Sequence, residues 1–113
     1  MNKVDGDIFN YELLVPADVT ETKLREDLEK AWKEGLESDA WLQETVRREQ
    51  IPAGEVPFKT KGSQGVDPVT AAILIALGTG AAKLSVKMAT DIWDRIVLPW
   101  LERKYGRGAV RRR

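Results

Sequence analysis

Two carboxylates three residues apart, Asp91 and Asp94, have the spacing of an acid/base pair on one helix face. Such a pair works only when its members sit in unlike environments. Lys87 and Arg95 flank them, so they read as a surface charge cluster instead. Ser63 and Ser85 have no His to activate them, and Ser85 and Lys87, two apart, point to different sides of a helix. The absence of His removes the usual general base and the commonest metal ligand. The absence of Cys removes disulfides, thiolate zinc sites and a cysteine nucleophile. Gly78-Thr79-Gly80 lacks the Lys-Ser/Thr of a phosphate loop, and Asp5-Gly6-Asp7 lacks the remainder of a calcium loop. The expectation is a protein that is not an enzyme, with no catalytic residue, no metal and no cofactor.

The chain is instead organised around an apolar stretch, Val66 to Leu101. Val69, Ile73, Leu74, Ile75 and Leu77 form one apolar block. Leu84, Met88, Ile92 and Ile96 follow at i+4 steps, with Lys83, Lys87, Asp91 and Arg95 at the same step on another face. This spacing predicts an apolar helical pair over 66–105, broken at Gly78-Thr79-Gly80 because Gly costs ~1 kcal/mol in a helix interior. The uncharged run Pro68 to Ala82 spans only about 22 Å as a helix, against ~30 Å for a bilayer core. A resting transmembrane helix is therefore disfavoured.

The rest of the chain supplies what could cover that stretch. Residues 1–7 read as a polar lead with no secretory signal, which makes a cytoplasmic location the expectation. Ile8 to Val15 alternates as a half-buried strand that Pro16 stops. Thr20 to about Glu37 is an amphipathic helix with the stripe Leu24, Leu28, Ala31, Trp32 and Leu36. Ser38-Asp39 suits the cap of a short second helix carrying Trp41 and Leu42. Val46 to Ile51 reads as a weak edge strand, and Ala53 to Gly65 as a flexible loop. Pro99 should kink or end the last helix, and residues 106–113 form a basic tail. The predicted class is α+β in a single small domain, 1–113. A sheet of two or three strands packs against an amphipathic helix and a C-terminal helical pair.

Net charge is zero but unevenly spread. Residues 1–50 carry 7 Lys/Arg against 13 Asp/Glu, and residues 51–113 carry 11 against 5. A basic end suits an acidic protein face, anionic lipid or nucleic acid. It lacks the interleaved aromatics of a single-strand binder, so nucleic acid is disfavoured.

One wider pattern runs through residues 8–105. It comprises Ala40-Trp41-Leu42, Val46-Arg47-Arg48, a loop containing Pro and Gly, Ala76-Leu77-Gly78-Thr79-Gly80-Ala81-Ala82, and a helix ending Trp100-Leu101-Glu102-Arg103-Lys104. This pattern resembles the bacterial effector-associated constant component family, small accessory proteins of bacterial conflict systems. Family members often continue into a further strand after the basic helix end, whereas here the chain stops after Gly106 to Arg113, which would leave a sheet edge open to a partner. The resemblance implies a constant partner for a variable effector, a caspase- or trypsin-like protease, in antiphage defence or programmed cell death. It implies no catalytic residue.

Two functions follow. The first is a non-enzymatic adaptor whose Trp-bearing helices pack internally or against a protein effector. A second copy of the chain is a further candidate partner. The second is a latent membrane-disrupting effector, cytoplasmic until a protease frees residues 66–105. Candidate contact residues for partner or membrane are Trp93, Trp100, Ile73, Leu77, Lys83 and Lys87. Candidate cleavage positions are Arg47, Arg48, Lys59 and Lys61.

Overall fold

Alternating side chains in strand β1 (Phe9–Pro16) aim Tyr11, Leu13 and Val15 into the core, all buried. This is a computed structural model, and it describes residues 9–52, 54, 56–77 and 86–112. Helix α1 (Glu21–Ser38) begins at Thr20, whose hydroxyl accepts the Lys23 N–H at 3.1 Å. Helix α2 (Ala40–Arg48) begins at Asp39, whose carboxylate accepts the Leu42 N–H at 2.9 Å. Two strands follow as a hairpin, β2 (Phe58–Asp67) and β3 (Thr70–Leu77). Helix α3 (Val86–Ile92) runs through a π-helical turn (Trp93–Val97) into α4 (Leu98–Tyr105). Gly106, at φ 103°, stops α4, and strand β4 (Val110–Arg112) closes the described chain.

The class is α+β, as the sequence patterning predicts. The sheet, however, has four antiparallel strands in the order β2-β3-β1-β4 rather than two or three. With helices between β1 and β2 and between β3 and β4, this is the βαββαβ, ferredoxin-like topology. Leu13, Val15, Ile73, Ile75 and Phe58 form a core with Leu24, Leu28 and Trp32 of α1 and Ile92, Trp93, Val97 and Leu101 of the C-terminal helices.

Several local expectations are corrected. Residues 70–77 are a strand, so the apolar pair over 66–105 is half sheet and half helix. β3 lies between β2 and β1 and buries side chains on both faces, Ile73 and Ile75 on one, Ala72 and Ala76 on the other. A strand buried on both sides is uniformly apolar, and over eight residues that pattern looks the same as a buried helix. Asp67-Pro68 is accordingly part of a hairpin turn. The Asp67 carboxylate accepts the Val69 N–H at 2.9 Å, and Pro68 sits at the second turn position. The released helical pair needed by a membrane effector is therefore not an element of this fold. Among the described residues no helix is long and apolar enough to cross a membrane.

The second correction is that β2 occupies most of the expected loop 53–65. Its sequence is polar because it is an edge strand with one wet face, and its register shifts between Lys61 and Ser63 and between Gly65 and Asp67. Gly62, at φ 53°, meets the first shift with a conformation glycine adopts without strain. Third, Val46 to Arg48 continue α2, and Gln50 at φ 57° turns the chain out of it, so no strand forms at 46–51. The basic tail is also not free. Val110–Arg112 pairs with Leu13 to Tyr11 of β1, and Arg111 binds Glu12 at 2.6 Å. The sheet position that the resemblance leaves open is filled. Gly78-Thr79-Gly80, Lys83, Leu84 and the lead 1–7 lie outside the described residues.

Pro99 does not end the helical run: it sits in the first turn of α4. Proline has no N–H for the carbonyl four residues back, here Arg95, and its ring crowds that carbonyl. The turn before it is widened, and the Leu98 N–H bonds instead to the Trp93 carbonyl, five residues back.

Candidate functional site

The three helical segments meet at Gly35. A Cβ built there would lie 2.8 Å from Ile96 Cγ2 and 2.8 Å from Leu42 Cδ2. Leu42 is fully buried and Ile96 is branched at Cβ, so neither gives way freely. Gly35→Ala is expected to lower stability by about 1 kcal/mol, because overpacking of about 1–3 kcal/mol outweighs the helix-propensity gain. Urea unfolding measures it.

Outside that contact, the C-terminal half of α1 and the start of α4 leave a groove of about 200 Å³. Ala31, Gly35 and Ile96 line its floor, and Trp100, Pro99, Arg95 and Arg103 one wall. Trp100 is half-buried, and its indole N–H donates to Glu34 Oε1 at 3.1 Å. The Lys104 ammonium lies 5.6 Å from the Trp100 ring centre, and the Arg95 guanidinium lies 4.9 Å from that of Trp41. Trp41, Ile96 and Trp100 are all partly exposed here.

A buried polar network lies beneath α4. Asp27 is fully buried, and its carboxylate accepts from Lys104 Nζ at 2.7 Å and from the Tyr105 hydroxyl. Lys23 Nζ is 3.8 Å away. Burial pushes the Tyr105 phenol well above its usual 10.0, and the hydrogen bond to Asp27 and the charge of Asp27 push it further. The native state therefore favours the neutral phenol. Its contribution is complete below about pH 10 and is lost as pH rises above that value. Stability measured by urea midpoints is expected to fall above pH ~10, and Tyr105→Phe to make that fall shallower. Tyr11, also raised by burial, keeps part of the slope.

No family model, curated protein or solved structure matches this chain. The site is therefore read from its own geometry.

The candidate contact residues are scattered by the fold. Trp93 is fully buried, stacked on Tyr11 at 4.7 Å and edge-on to Phe58 at 5.5 Å. Ile73 is also fully buried, in the middle of the sheet. Lys87 is exposed and pairs with Asp91 at 2.9 Å, which places Asp91 in an ordinary i,i+4 helix pair. Lys83 and the Leu77 side chain lie outside the described residues. Of the four whose side chains are described, Trp100 is the one that lines the groove. Arg47 and Arg48 sit exposed in the last turn of α2, and Lys59 and Lys61 sit exposed on β2. Cleavage at these positions requires local opening of a helix or a paired strand.

Sequence reasoning passed over Asp27. The signal was present: Asp27 stands three residues after Leu24 and four before Ala31, on the apolar stripe of α1. A carboxylate on a core stripe demands a partner.

Proposed function

We propose that this protein is a non-enzymatic binding module, an accessory component that holds a protein effector. The sequence resemblance to effector-associated constant components favours a protease as that effector, in antiphage defence or programmed cell death. The observation that carries this reading is the tryptophan-bearing helical surface. Trp41 and Trp100 are half-buried, each beside a cation, and Trp100 and the partly exposed Ile96 line one groove. Trp and Arg are the residue types that dominate protein interfaces.

Calorimetric titration of the purified chain with the product of the adjacent gene tests the reading. Saturable one-to-one binding is expected. A flat titration with a folded, active effector overturns it.

A further inference from the structure

We propose that the exposed turn Gly106-Arg107-Gly108 is a processing site, at which an arginine-specific endopeptidase hydrolyses the Arg107–Gly108 bond and releases strand β4 from the sheet. Processing here does not depend on the binding-module reading, and the failure of either leaves the other standing.

Access singles out this bond. Gly106, Arg107 and Gly108 are all exposed and belong to no helix or strand. Arg107 makes no hydrogen bond or ion pair among the described residues. A Cβ built at Gly106 or Gly108 would meet nothing within 4 Å, so the turn stands clear of the rest of the described chain. Every other described arginine lies in α1, α2, the π-helical turn, α4 or β4. Those bonds reach a protease cleft only when a hydrogen-bonded element opens. Exposed turns of small residues are where chains are nicked first. Glycine on both sides of Arg107 lets the backbone take the extended form a cleft requires, with no Cβ to oppose it.

The flanks of the turn are tied down. Before it, Lys104 and Tyr105 are bound to the buried Asp27 carboxylate. After it, Val110–Arg112 pairs with β1, the Leu14 N–H donates to the Ala109 carbonyl at 2.8 Å, and Arg111 binds Glu12. The turn presents the bond, and these ties set how far it lifts into a cleft. Loosening the Asp27 tie therefore speeds the cut without moving it.

The cut changes what covers β1. Water adds across the bond, leaving a carboxylate on Arg107 and an amino group on Gly108. Before the cut, the turn tethers β4 beside β1 at an effective concentration in the ~millimolar range. After it, a strand of three residues is held by its short ladder, the half-buried Val110 and an ion pair whose arginine is exposed. Such a pair holds weakly. β4 leaves, and the outer edge of β1 from Tyr11 to Leu14 opens.

Incubating the full chain with an arginine-specific endopeptidase and following intact mass tests the proposal. The first product is expected to end at Arg107. In Arg107→Gln that product should disappear, because a pocket built for a guanidinium rejects a neutral side chain. Unchanged amide shifts outside the turn verify that this variant is folded. Asp27→Asn should speed the same cut several-fold, in step with its larger open fraction. In the cleaved wild-type chain, hydrogen exchange at the Leu14 amide should accelerate by roughly tenfold or more while the β3 amides stay protected. A first product ending at another arginine, an unaltered time course in Arg107→Gln, or a Leu14 amide as protected after cleavage as before each overturns the proposal.

Discussion

Asp27→Ala is expected to destabilise the fold by about 3 kcal/mol, because removing one member of a buried charged network strands the others. The Asp27 side chain is fully buried and holds Lys104 at 2.7 Å together with the Tyr105 hydroxyl. Tyr105 and Lys104 are partly exposed, so water replaces some of what they lose and the cost falls at the low end of the range for such breaks. For a domain this size that corresponds to a melting temperature lowered by roughly 10–15 °C. Asp27→Asn keeps an acceptor for the phenol and should cost about half as much. The damage is also localised. Asp27 ties α1 to the last turn of α4, and α4 leads through Gly106 into β4. Hydrogen exchange should therefore accelerate first in residues 98–112 and only later in β1 and β3. A variant that melts normally, or loosens uniformly, would contradict the assignment of Asp27 as the tie.

Trp93→Ala should cost at least as much, about 3–5 kcal/mol, the range for truncating a fully buried large aromatic. The indole stacks on Tyr11 of β1 and meets Phe58 of β2 edge-on, so it spans both strands that flank β3. It also opens the π-helical turn, where the widened backbone accommodates Pro99. The resulting cavity cannot close without moving the C-terminal helices off the sheet. Trp93→Phe offers a sharper test. Trp93 Nε1 is buried with no hydrogen-bond partner among the described residues. An unsatisfied donor costs about 1–3 kcal/mol, so deleting it offsets part of the lost packing. The loss in Trp93→Phe should stay below about 2 kcal/mol by guanidinium unfolding, far less than for Ala. Equal losses in the two variants would mean that the indole nitrogen has a partner.

Elements with one wet face were legible without coordinates. β1 shows apolar residues at every second position, Tyr11, Leu13 and Val15, and α1 shows a Leu24-Leu28-Ala31-Trp32 stripe behind a Thr20 cap. Both patterns report the period of the element, since half of each faces water. Of the groove, Trp100 was singled out in the sequence by its seven-residue spacing from Trp93, but the fold buries Trp93 and leaves Trp100 half-buried, so the two share no surface. Gly35 and Arg95 gave no such signal, because their surroundings arise from α1, α2 and the π-helical turn converging.

On its own, then, the amino-acid order determined the α+β class, the first strand and helix, the capped start of α2 and the amphipathic C-terminal helix. Each rests on contacts within a few residues or on a periodic boundary with solvent. Only the tertiary structure decided that 70–77 is a central strand, that 58–67 and 110–112 are its sheet partners, and that Asp27 closes on Lys104 and Tyr105. A segment buried on both faces carries no period, and an edge strand owes its shape to a neighbour distant in sequence. Hydrogen bonds between residues 77 and 78 positions apart exist only once the chain has folded.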